Sequence, residues 1–127
     1  TSSLVGSEMC IETDQEIGYF NVVLKGSEIR YHTIWDTPII ITPHPWSFSD
    51  LASLLDRYTE EQQQTATAGD IYDWGRESAA NSKCIYDVKP GDKLGQDFIL
   101  KYKPLAEDQL TKAGYRLAKV LNDIFDR

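Results

Sequence analysis

Leu110, Ala113, Leu117, Val120, Leu121 and Ile124 recur at helical spacing, and that pattern constrains the fold more than any other in the chain. A stripe of this length belongs to an amphipathic helix that must lay one face against other elements. Pro104 suits the first turn of such a helix, so the spacing predicts one running from Pro104 through Ile124. Gly114 sits inside it at a cost of ~1 kcal/mol relative to Ala. Close approach of another helix would account for that glycine. Arg116 falls on the opposite flank and reads as one half of a structural ion pair or as a surface contact.

Two further stripes offer surfaces for that helix to pack on. Leu51, Leu54, Leu55 and Tyr58 stand at i, i+3, i+4 and i+7, behind Ser47 or Ser49 as cap and Asp50 in the first turn, with Glu60 to Gln64 as a solvated end. A third helix spans Gly69 to Cys84, opens at Asp70, and carries Ile71, Trp74 and Ser78 on one face. Three such helices predict a small antiparallel bundle. Asp70, Asp73 and Glu77 make an acidic face at helical spacing, which without a calcium-loop pattern is expected to be solvated.

The N-terminal part reads differently. The start of the chain is polar and Ser-rich and is expected to be an irregular arm over 1–13. Tyr19 to Leu24 is β-branched and aromatic and ends at Lys25-Gly26-Ser27, a short strand and turn. Glu28 to Asp36 then forms a short helix that stops ahead of Pro38. Pro43-His44-Pro45 is a break with His44 as a loop residue, Lys89 to Lys93 is a turn, and Phe98 to Tyr102 is a short strand or the start of an extended connection. The expected class is mainly α: a small helical bundle with a short β-hairpin near the N-terminus, one domain over 1–127.

Chemistry concentrates in Tyr31-His32-Thr33-Ile34-Trp35-Asp36. His32 and Asp36, at i and i+4, share a helical face on which an imidazole nitrogen and a carboxylate oxygen can converge on one cation. The spacing fits equally a plain His–Asp pair beside a packed Trp35. No Cys-x-x-Cys, Gly-x-Ser-x-Gly or phosphate-binding Gly loop is present, so no catalytic side chain is assigned. Lys plus Arg number 13 against 20 Asp plus Glu, a net charge of -7 that repels phosphate backbones at long range and disfavours nonspecific duplex binding. A metal-centred nuclease escapes that exclusion, because the local charge of the ion holds the phosphate. No apolar run approaches the ~20 residues of a membrane span. The chain starts at Thr1 without an initiator Met or signal peptide, as expected of a processed chain or a segment of a longer one.

The segment Ile29 to Thr37 resembles the N-L-H-x-x-W-D-x stretch of the zinc-dependent, single-strand-specific nucleases of the S1/P1 type. Gln109 to Ala118, followed by Leu121-Asn122, is similar to that family's closing q-L-x-k-A-G-y-R-L-A helix. Trp74-Gly75-Arg76-Glu77-Ser78 is similar to its W-a-x-E-s element, and Cys84 falls about where the family places a half-cystine. The three matches occur in the family's order. The resemblance runs from about Asp14 to Phe125 and covers only the C-terminal half of a typical member, so it implies the C-terminal half of the phospholipase C/P1 nuclease fold.

The resemblance implies hydrolysis of phosphodiester bonds of single-stranded nucleic acids or nucleotides, with zinc ions that activate a water for in-line attack and stabilise the leaving 3′ oxygen. It carries over His32 and Asp36 as metal ligands, Trp35 and Trp74 as packing residues, and Glu77, Gly114 and Arg116 as structural residues. It also implies a secreted protein. The family's N-terminal Trp, early His, central H-x-x-G-D-x-H-Q-P-L-H helix and G-G-N have no counterpart here. Zinc is therefore expected only if another segment supplies further ligands, and the chain alone is expected to be an incomplete catalyst. Since secreted proteins favour disulfides, Cys10 and Cys84 are expected to pair, worth ~4 kcal/mol for so long a loop; two buried thiols are the alternative. A second reading is a non-catalytic extracellular binding or self-assembling protein that has lost most of the zinc cluster. The expected partners are the missing N-terminal half as a separate chain, or a second copy.

Overall fold

The structure is a computed structural model and describes residues 20–125; the expected arm over 1–13 lies outside them. β1 (Asn21–Leu24) and β2 (Ser27–Arg30) form an antiparallel hairpin across Lys25-Gly26, both at positive φ, the backbone that a tight two-residue turn requires. The strand expected from Tyr19 begins at Asn21 among the described residues. Glu28 to Arg30, read as the start of a helix, forms with Ser27 the return strand instead, because the turn hands the chain directly back to β1. A third strand, β3 (Lys93–Leu94), lies parallel to β1 on its other edge, giving the order β2-β1-β3. Val23 donates its N–H to Asp92 O at 2.8 Å, and Gly91 donates to Asn21 O at 2.8 Å, so the Lys89–Lys93 turn is tied to the sheet.

Two short helices follow: α1 (Tyr31–Asp36) and α2 (Pro38–Ile41), the latter with Pro38 in its first turn. The helix expected to carry the stripe from Leu51 to Tyr58 ends at Leu55, and Tyr58 falls in the link to the next one. α3 (Phe48–Leu55) is capped by Ser47, whose hydroxyl accepts from Asp50 N, and α4 (Glu60–Thr67) opens on a capping box made by Thr59 and Gln62. The residues read as a solvated helix end thus found a separate helix, since the Thr59 and Gln62 side chains satisfy its first donors. α5 (Ile71–Asn81) opens on a second box, Asp70 with Asp73, and passes into a 3-10 turn over Ser82–Asp87. Two members of the expected acidic face are consumed in that cap.

The longest element is α6 (Gln96–Phe125). It absorbs Phe98 to Tyr102, expected to be extended, and places Pro104 inside the helix rather than in its first turn. The interior proline is tolerated on an exposed side: Pro104 and Leu100, whose carbonyl loses its partner, both face solvent.

The core lies where α6 begins. Val22, Tyr31, Ile34, Ile39, Phe98, Ile99 and Tyr102 are buried together, so β1, α1, α2 and the first turns of α6 converge on one cluster. Lys103 Nζ reaches across to Ile39 O at 3.2 Å and Ile40 O at 2.6 Å, a cation on the carbonyl end of α2 that locks it to α6. The chain is mainly α with a short sheet, but its apolar centre is sheet against helices and not the interior of a bundle. Among the described residues no helix is long and apolar enough to cross a membrane.

Ile99 and Leu100 separate core from surface within one turn. Ile99→Ala is expected to lower the urea-unfolding free energy by ~2–4 kcal/mol, and Leu100→Ala by less than ~1 kcal/mol.

Candidate functional site

α1 carries the His–Asp pair on its outer side because Tyr31 and Ile34 take the inner one. Tyr31 is fixed by its N–H donating to Phe20 O at 3.0 Å, by a stack on the Phe20 ring at 5.2 Å, and by an edge contact with Phe98. Trp35 lies edge-on to Phe98 and tilted against Tyr102 at 5.5 Å. These contacts set the rotation of the helix. His32 Nε2 and Asp36 Oδ2 then meet at 3.0 Å, both partly exposed.

Two donors bound to one tetrahedral zinc at ~2.1 Å stand ~3.4 Å apart. The His32–Asp36 separation is a small adjustment from that, so the pair fits two positions of a zinc site. Among the described residues no group of three or more His, Cys, Asp or Glu side chains is placed to hold a metal ion. The remaining ligands of a zinc centre would have to come from elsewhere. His44 lies in the exposed loop against the Trp46 ring at 5.7 Å. Tyr31 Oη and Trp35 Nε1 are buried with no partner in hydrogen-bonding geometry, and burial pushes the Tyr31 phenol up to about 12 against a smaller opposing pull from the neighbouring Trp35. Tyr31 therefore stays neutral through the physiological range.

A second polar centre joins α5 to α6. Glu77 Oε1 accepts from Lys112 Nζ at 2.7 Å and from Gln109 Nε2 at 3.2 Å, while its Oε2 accepts from Arg116. Arg116 also donates from Nε to Ala66 O at 2.9 Å and lies over the Trp74 ring at 5.3 Å. Trp74 donates its indole N–H to Ala68 O at 2.8 Å. Lys112 further pairs with Asp108, which accepts from the Tyr58 hydroxyl at 2.7 Å. One network thus ties α4, α5 and α6 together. The Lys112 ammonium, with Arg116 beside it, holds the Glu77 carboxyl well below its ordinary value, at about 2. Asp108 is not singled out by the sequence, and Gln109 and Lys112 enter only as members of the closing-helix motif; the i, i+4 spacing of Asp108 and Lys112 was the available signal. Each carboxylate here already has a cation, which makes the cluster a joint and not a reaction centre.

Gly114 has no close helix against it: a Cβ there would meet nothing within 4 Å. It forms part of a groove of about 460 Å³ with Phe48, Leu51, Leu55 and Ala118. The close contact expected at this glycine is absent because α6 turns its polar side, not its apolar side, toward α5. Cys84 Sγ lies 3.2 Å from Asn81 O in the 3-10 turn, and Cys10, with which it is expected to pair, lies outside the described residues.

The family model described as S1/P1 Nuclease matches residues 14–126, which includes both the His32–Asp36 helix and the Glu77–Arg116 joint. No curated protein and no solved structure matches the chain.

The Glu77 joint generates a pH dependence. Its carboxyl ionises more readily in the folded chain than at the ordinary value of 4.5, so its stabilising effect is fully present above about 4.5 and is lost as pH falls toward about 2. Discounted for partial exposure, Glu77→Gln is expected to cost roughly 1–2 kcal/mol in urea unfolding at neutral pH. The two proteins' stabilities should converge as the pH approaches 2.

Proposed function

The chain belongs to the S1/P1 nuclease family, and from that membership we propose that it contributes two ligands to a zinc site that hydrolyses phosphodiester bonds of single-stranded nucleic acids or nucleotides. The observation that carries the reading is the 3.0 Å convergence of His32 Nε2 and Asp36 Oδ2 on a helix inside the matched segment. His32 would bind as the neutral imidazole and Asp36 as the carboxylate, exchanging their mutual contact for a shared ion. Zinc supplies Lewis-acid stabilisation of negative charge on the phosphoryl group.

The chain's own residues supply placement. Trp35, seated on Phe98 and Tyr102, prevents α1 from rotating, and the buried Tyr31 and Ile34 hold its register, so the two donors keep a common direction. With a net charge of -7 the chain gives no long-range attraction to a polyanion, and the grip on phosphate is local to the ion. Further ligands come from outside residues 20–125, and without them the chain is an incomplete catalyst. Residence outside the cell is proposed with the same family reading.

Elemental analysis of protein prepared without chelators, together with hydrolysis of single-stranded DNA, tests this. His32→Ala and Asp36→Ala are each expected to lower zinc content and any hydrolysis together, while urea-unfolding free energies stay within ~1 kcal/mol because both side chains are partly exposed. Unchanged zinc content with unchanged stability would remove both residues from the ligand set.

A further inference from the structure

Neither the His–Asp pair nor the Glu77 joint accounts for two tyrosines that lie face to face. Tyr58, in the link between α3 and α4, stacks on Tyr115 of α6 with ring centroids 5.4 Å apart and planes 12° from parallel. At that separation the stack is offset, and the edge of one ring overlies the edge of the other. Each hydroxyl is held by its own carboxylate: Tyr58 donates to Asp108 Oδ1 at 2.7 Å, and Tyr115 donates to Asp56. Both rings are partly exposed, whereas Tyr31 and Tyr102 are buried in the core. A phenol in this setting is prepared to lose an electron, because oxidation makes its O–H proton strongly acidic and the carboxylate on the hydroxyl takes it directly.

The geometry points to Tyr58 and Tyr115 as an oxidative crosslinking site, at which a one-electron oxidant joins the two rings of one chain as dityrosine. Each phenol gives one electron to the oxidant and its hydroxyl proton to its carboxylate, Asp108 for Tyr58 and Asp56 for Tyr115. Unpaired spin in a phenoxyl radical lies partly on the ring carbons ortho to oxygen, in orbitals perpendicular to the ring, so two such radicals couple face to face. The stack supplies that approach before oxidation occurs. The odd electrons pair in a new bond between one Cε of each ring. The hydrogen on each bonded carbon then leaves as a proton, and each phenol oxygen takes one up. Overall, two molecules of oxidant are each reduced by one electron and two protons reach solvent. The product ties the α3–α4 link to α6 and closes a loop that contains α4 and α5, a restraint on the unfolded chain of the kind a disulfide provides.

Treatment of the full chain at micromolar concentration with photogenerated tris(bipyridine)ruthenium(III) tests the proposal. Dityrosine fluorescence is expected in the species with the mass of one chain. Its digest should hold one crosslinked peptide pair, containing Tyr58 and Tyr115 and lighter than the two parts by two hydrogens. The urea midpoint of the crosslinked species should rise. Tyr58→Phe and Tyr115→Phe are each expected to abolish the intrachain product. Asp56→Asn keeps a hydrogen-bond acceptor but removes the base, and should lower the initial rate by about threefold or more. Tyr72 and Tyr86, 73% and 49% exposed, are internal controls for reactivity that follows exposure alone. An intrachain crosslink that persists in either Phe variant, dityrosine formed only between chains through Tyr72 or Tyr86, or none at all overturns the proposal. Asp56→Asn at the wild-type rate overturns the proton route assigned to Tyr115.

Discussion

Helix α6 is held at its two ends by opposite physics, and the rest of the chain is arranged around that. At ~1.5 Å per residue its 30 residues span about 45 Å, and only its first turns lie in the apolar core. Its first turns enter that core through Phe98, Ile99 and Tyr102, and its later turns are gripped by charges, Lys112 and Arg116 closing on Glu77. Burial supplies the non-directional part of the stability and the network supplies direction. An Arg that at once meets a carboxylate, a carbonyl and an indole face admits few alternative rotations of the helix.

The candidate zinc pair depends on the first of these ends. α1 has six residues, too few for a helix to persist alone in water. Its geometry is imposed by Tyr31, Ile34 and Trp35 against the sheet and α6, and the direction of His32 and Asp36 follows from theirs. Two donors at suitable spacing are therefore a property of the core as much as of the motif. The later turns of α6 show the complementary case, an apolar surface that the chain's own charges have turned outward.

Legibility followed the range of the interaction that determines each element. The Lys25-Gly26 turn, the Ser47 cap and the opening of α5 at Asp70 are local and could be read from neighbouring residues. The split between α3 and α4 rests on a capping box that the Gln-rich stretch concealed, since Gln62 reads as surface until its side chain is seen to reach back to Thr59 N at 2.8 Å. Phe98 to Tyr102 looks extended by composition and is helical because Phe98, Ile99 and Tyr102 must all reach one core, which only the 3.6-residue period allows. At the site, the pairing of His32 with Asp36 was legible in its i, i+4 spacing, whereas the Trp35 seat beneath it needed the fold.

The amino-acid sequence by itself determined the helical periodicity of α6, the stops at proline and glycine, the His–Asp spacing and the family to which the chain belongs. These rest on local sterics and on motif spacing, which are written residue by residue. Only the tertiary structure decided which side of α6 points inward, because Leu117 and Arg116 are neighbours on one helix and an amphipathic pattern does not state which partner each face will meet. With Glu77, Ala66 and Trp74 converging from two other elements on Arg116, the polar face was drawn in and the apolar stripe left outside.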